Sequence, residues 1–283
     1  MEVLTTFNPV TTTLSLIPCW FGVLYASMKV IPCPENLHPK NNKGKIVRDY
    51  HKYYNNYPSI FHAVLSVILC TIYAISVGFT HGKDNDPLCN FIIANSLAYF
   101  IYDTICAEVL LKPDLAMRIH HLAGMSVLAA VLYIQNSGSE CIGALLLAEI
   151  SNPFNLYRDI LKLRGEGDSD KFFQYSLTFA SLFIFTRFII IPIWLPFLYP
   201  GATHLLVKVF CGIVWFVSWH WFFIIISLAT KAFKQRAKSA EESVWEKMYK
   251  LFFKLRTSKA FLASYYATAL YLCFGTLYFS HGQ

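Results

Sequence analysis

The sequence predicts an all-α polytopic membrane protein, a bundle of about eight transmembrane helices. Three observations carry that expectation. Apolar residues make up 55% of the chain and charged residues only 14%, against roughly 25% charged in an average soluble domain. Apolar runs near the ~20 residues that cross ~30 Å of hydrocarbon recur along the whole chain. Basic residues gather in alternate connectors, as a membrane orientation requires.

The runs fall at about 13–31, 60–80, 90–111, 119–135, 141–161, 172–199, 203–230 and 259–280. Lys40, Lys43, Lys45, Arg48 and Lys52 follow the first; Lys112 and Arg118 follow the third. Lys162, Arg164 and Lys171 follow the fifth, and a run from Lys231 to Lys259 follows the seventh. The opposite connectors offer Lys83, with Lys208 inside the start of span seven. By the positive-inside rule both termini are expected on the non-cytosolic face. The net charge of +7 therefore belongs to cytosolic loops, and no nucleic-acid partner is expected. Phe and Tyr are abundant (24 and 17 residues), as interfacial aromatic belts would require.

Three segments complete the organisation: residues 1–44, a transmembrane helix and basic connector; 45–235, the main membrane domain; and 236–283, a surface helix and last span. The connector 32–58 opens on a Pro-rich turn and closes in Tyr-rich DYHKYYNNYP. In 239–256, Ser239 and Glu242 stand at capping-box spacing. There Trp245, Met248, Phe252 and Leu255 repeat at three and four residues, which fits an amphipathic helix on the membrane surface or docked on the bundle. The N-terminal MEVLTTFNPVTTT has no basic n-region, so no cleavable signal peptide is expected, and no Asn-x-Ser/Thr sequon occurs. The eight cysteines form no CxxC pair, which argues against a zinc or redox site. Cys89 and Cys141 fall at the same membrane face, and their spacing permits a disulfide.

Chemistry concentrates between Arg118 and Asp159. His120 and His121 open the fourth span just behind Lys112 and Arg118, near the cytosolic boundary. Adjacent helical residues point about 100° apart, so the pair does not chelate one metal, and no metal site is expected. One imidazole can face the interior while the other supports it; a group of this pKa suits proton or acyl transfer near neutrality. The bland reading is a pair of interfacial histidines. In the fifth span Glu149, Asn152, Asn155 and Asp159 recur at three and four residues, forming one polar stripe. Pro153 cannot donate to the Glu149 carbonyl and bends the helix. Ionisable groups at this depth cost roughly 2.5–3.5 kcal/mol on insertion scales, so they normally face a cavity or partner. The alternative is a structural network gluing helices together.

Partners for that stripe are Asp103 in the third span and Arg187 in the sixth, the one Lys or Arg deep in a span. His220, between Trp219 and Trp221, is expected as a hydrogen-bonded core or cavity histidine, and His62 as an interfacial residue. The absence of HxxxH or HxxHH boxes argues against a di-iron hydroxylase. Neither late span has a deep lysine for a retinal Schiff base, and the paired Gly/Pro breaks of many transporters are lacking.

The basic segment before span two, Tyr102-Asp103, His120-His121 and AEISNPF about 28 residues later together resemble the TLC (TRAM–LAG1–CLN8) domain family. The similarity covers roughly 45–235 and looks closest to the small TLC-domain-only proteins, more distantly to ceramide synthases. The resemblance implies a TLC-domain core and, in the synthases, acyl transfer from acyl-CoA to a sphingoid amine. Carried over by position, His120 and His121 become the acyl-accepting and proton-transferring pair. Glu149 and Asn152 take the places of two downstream acids. Asn152 is an amide and cannot act as a base, which sets this chain apart from the synthases.

Two functions are therefore expected. One is a membrane protein that binds lipid or acyl chains in a polar intramembrane cavity and influences membrane lipid composition, or serves as a structural subunit of a larger membrane complex. The other is an N-acyltransferase with acyl-CoA as donor substrate, acting through His120, His121, Glu149 and Asn152. In both, Asp103, Asn155, Arg187 and His220 line the cavity, membrane lipids are the partners, and no tightly bound cofactor is expected. The resemblance implies the endoplasmic reticulum; the alternative is the mitochondrial inner membrane.

Overall fold

The computed structural model describes residues 8–38, 45–193, 203–239, 250 and 254. Their architecture is helical: α1 (Pro9–Val30), α2 (Lys45–Ser76), α3 (Pro87–Cys106), α4 (Leu115–Ile134), α5 (Gly138–Glu149), α6 (Asn152–Leu163), α7 (Asp170–Ile184) and α8 (Leu205–Ser239). A short 3-10 turn covers Glu35–Leu37, and π-helical stretches extend α3 (Ala107–Leu111) and α7 (Phe185–Ile190). The chain divides into two compact units, Met1–Cys211 and Gly212–Gln283.

Local chemistry explains where helices begin. Asn8 accepts from the amides of Val10 and Thr11, Asp86 from Cys89, Asp114 from Met117 and Ser169 from Phe172. Each side chain satisfies donors that a helix start leaves open. Pro9 and Pro87 follow their caps at positions where a missing N–H costs nothing. At its far end α4 stops at Gln135 in the left-handed region (φ 58°).

Within the first unit α3 is the axis. It is apolar around most of its circumference and buried along most of its length, as a helix surrounded by others must be. Trp20 of α1 packs edge-on against Tyr99, with centroids 5.1 Å apart. Gly138 opens α5 against α3, where a Cβ would strike Cys89 and Asn85. All described cysteines are free thiols; Cys89 and Cys141 are both buried and unbridged.

Six helices among the described residues are long and apolar enough to span: Pro9–Val30, Ile46–Ser76, Pro87–Leu111, Leu115–Ile134, Asp170–Ile193 and Leu205–Ala232. They match expected spans one to four, six and seven. Span two starts about fifteen residues early, because α2 runs from Lys45 straight through Pro58. The supposed connector there buries Tyr53, Tyr54, Asn55 and Asn56. Span eight and nearly all of the surface segment 239–256 lie outside the described residues; Ser239 is the last residue of α8.

The fifth span differs in kind. It is two 12-residue helices, α5 and α6, separated at Ile150–Ser151. Each is about 18 Å long, too short to cross alone. Their outer ends nevertheless reach opposite ends of the unit. At one end Glu140 accepts from the Gly82 amide (2.6 Å) and the Thr203 hydroxyl (2.8 Å), and Ser137 accepts from the His204 amide (2.9 Å). At the other, Asn36 donates to the Leu163 carbonyl (2.8 Å) and Lys52 to Asp159 (2.7 Å). The loops after spans two, four and six thus meet at one end, and those after spans one and five at the other.

Candidate functional site

The interruption between α5 and α6 begins with Pro153. In an unbroken helix its nitrogen would donate to the Glu149 carbonyl, and it has no hydrogen to give. The preceding turn opens as well. Arg187 donates through Nη2 to the Ala148 carbonyl at 3.2 Å, the acceptor that the Asn152 amide would otherwise serve. A guanidinium thus sits on the negative end of α5, where the helix dipole favours a cation. Both Arg187 and Glu149 are buried, at 4% and 5% exposure. The Glu149 carboxylate accepts from Asn152 Nδ2 at 2.9 Å. Non-helical backbone at membrane depth is tolerated where protein buries it and supplies replacement partners.

A second polar cluster lies across α2, α3 and α4. Asp103 accepts from Asn55 Nδ2 at 2.8 Å, and its other oxygen lies 3.4 Å from His121 Nε2. Asn55 in turn accepts from the Tyr102 hydroxyl at 2.7 Å. The second ring nitrogen of His121 is 3.2 Å from the Thr104 hydroxyl, so the imidazole is fixed at both ends. His120 is half-buried, and its ring lies 6.0 Å from that of His121. Phe100 stands beside both rings, at 6.5 and 6.0 Å.

The structure therefore brings Asp103 together with His121, with His120 beside it, and sets Glu149 with Asn152 and Arg187 at the α5–α6 break. Asn155 lies one turn beyond Asn152 on α6, and its Oδ1 is buried with no hydrogen-bond partner among the described residues. His220 is a correction: it belongs to the second unit and is exposed, whereas its neighbour Trp219 is buried. The two side chains point to different sides of α8, so the expected core histidine is absent. His62 is a correction in the other sense. It is 1% exposed, stacks on Tyr99 at 3.7 Å and bonds Ser66 at 3.1 Å, so it is a core residue.

Asn55, Thr104 and Ser66 were missed by sequence reasoning. A signal existed for two of them, since Asn55, Ser59, His62 and Ser66 recur at four, three and four residues along α2. Among the described residues no group of three or more His, Cys, Asp or Glu is arranged to hold a metal ion.

Apolar helices of spanning length around buried ionisable groups define an integral membrane protein with a polar interior. The family follows from comparison with known proteins. The TLC domain matches residues 52–231, more than half of the chain, and the chain belongs to the TLC-domain family. No curated protein and no solved structure matches it.

Proposed function

We propose that this TLC-domain protein binds a lipid or acyl chain at the polar cluster between α3, α4 and the α5–α6 break, and thereby influences membrane lipid composition. One observation carries the reading. Two sets of buried ionisable groups, Asp103 with His121 and Glu149 beside Arg187, come from four different helices, and the second set sits where one of those helices is interrupted. Buried charges that only held helices together would not require an open backbone beside them. Half-helix ends at membrane depth are a recurrent way to meet polar parts of a ligand. The test is mass spectrometry of lipids retained by the purified full-length protein. A defined acyl lipid lost on Asp103→Leu supports the reading; a folded protein retaining no lipid contradicts it.

A second reading has a specific observation in its favour. His121 is held by Asp103 at one nitrogen and faces Thr104 at the other, as an orienting partner for a reactive neighbour would be. In that reading a His120 ring nitrogen attacks the thioester carbonyl of acyl-CoA, the C–S bond breaks, the acyl group stays on the imidazole and CoA leaves as the thiol, having taken up the proton. Asn152 donates to Glu149 and serves to hold that carboxylate, not as a base. A hydroxylamine-sensitive acyl adduct abolished by His120→Ala would establish transfer, and its absence beside retained lipid leaves binding alone.

A further inference from the structure

Ser151, at the N-cap of α6, and the first turns of that helix carry buried polar atoms that nothing among the described residues satisfies: Ser151 Oγ, Asn155 Oδ1 and Arg158 Nε each lack a hydrogen-bond partner there. They are spaced by four and three residues, so they form a ladder on one helical face, about 10 Å long at 1.5 Å per residue. Asn56, Asn95, Ser96 and Glu140 also carry such atoms, but these are distributed over α2, α3 and α5. Only on α6 does the spacing align three of them.

The neighbourhood of the ladder is built. The Arg158 guanidinium lies 5.3 Å over the Phe179 ring of α7, and one turn along α7 the Arg187 guanidinium lies 5.5 Å over Phe183. The two phenylalanine rings touch, at 5.7 Å. This places the ladder on the side of α6 that faces α7. The one carboxylate bonded to Arg158 is Asp159 (3.1 Å), which Lys52 shares from α2 at 2.7 Å. Two cations on one carboxylate leave positive charge to spare.

The chemistry of the open atoms selects an occupant. Asn155 Oδ1 can only accept and calls for a donor. Arg158 Nε can only donate and favours an anionic oxygen. Ser151 serves either. We infer that α6 is a headgroup subsite for a phosphate ester carrying a neighbouring hydroxyl, with phosphate at Arg158 and hydroxyl at Asn155. This rests on the lipid-binding reading above and names the polar end of its ligand.

Native mass spectrometry of the full-length protein in mixed micelles tests this with three probes. Phosphatidylglycerol has both groups, phosphatidylcholine lacks the donor, and diacylglycerol lacks the phosphate. Wild type should prefer phosphatidylglycerol to both. Arg158→Gln should cut the preference over diacylglycerol roughly tenfold, the scale of one charge-assisted bond. Asn155→Leu should cut the preference over phosphatidylcholine, which keeps the subsite testable if the arginine variant fails to fold. Arg48→Gln, which removes the same charge from an exposed pair with Asp49, should change nothing. Displacement by glycerol 3-phosphate would identify a soluble phosphate ester as the source; resistance to it would identify a membrane lipid. Equal uptake of the three probes, or a preference that survives both α6 substitutions, overturns the subsite while retained acyl lipid keeps the broader reading. A wild type that retains no lipid at all overturns both.

Discussion

Two regions of the first unit solve the same problem in opposite ways. Where α2, α3 and α4 meet at Asp103 the polar side chains are closed on one another: Tyr102 to Asn55, Asn55 to Asp103, Asp103 to His121, His121 to Thr104. Around α5 and α6 the helix itself is open, and Ser151 Oγ, Asn155 Oδ1 and Arg158 Nε have no hydrogen-bond partner among the described residues. A satisfied network rigidifies and specifies a fold, whereas an unsatisfied one points outward to something else. The difference suggests a division of labour, with α3 and α4 as a fixed wall holding the imidazoles and the α5–α6 break as the adaptable wall.

The comparison breaks most readily at Arg187, the residue that ties the open region to the rest. Arg187→Leu removes the buried charged donor to the Ala148 carbonyl at the helix break. A buried acceptor left without its partner costs about 1–3 kcal/mol, more where the lost partner is charged, and thermal unfolding in detergent should show a loss at or above the top of that range. Arg187→Lys should recover part of it, because charge returns without the planar fork. In the closed region Asp103→Leu orphans Asn55 and a His121 nitrogen. At about 1–3 kcal/mol per orphaned group, the loss should be of the same order as for Arg187→Leu and readily measured. Asp103→Asn should cost less than the leucine, since one oxygen still accepts from Asn55.

Pro153→Ala sharpens the contrast. It restores an N–H that can reach the Glu149 carbonyl, so hydrogen exchange of amides 150–154 should slow while α3 and α4 are unchanged. Unaltered exchange would mean that Arg187 and Asn152, not the proline, hold the break. The smallest effect belongs to Lys52→Gln. Its pair with Asp159 is partly exposed (43% and 20%), and such pairs contribute about 0.2–1 kcal/mol.

These regions also differ in how far the sequence discloses them. The bundle and six of its spans are readable from apolar runs and basic alternation, because lipid imposes length and charge rules on each helix separately. The pairing of Asp103 with His121 and the burial of Glu149 are foreshadowed by the rarity of such groups at depth. Asn55 is not, since Pro58 and the surrounding polar residues mark 45–59 as a connector, and packing on α3 and α6 accompanies its helical form. Pro153 announces a bend, but the full interruption depends on Arg187 arriving from α7 to take the Ala148 carbonyl, a contact 39 residues away. His220 carries no sign of which way it faces; its rotation on α8 puts Trp219 inside and the imidazole out.

Photocrosslinking with a diazirine-bearing acyl lipid, mapped by peptide mass spectrometry on the full-length protein, tests the central claim most directly. Adducts should concentrate on 148–155 and on α4 near His120 and His121, and should diminish in Asp103→Leu. Adducts confined to outward-facing residues such as Leu14 and Tyr25 of α1, unchanged by that substitution, would contradict a lipid site inside the bundle.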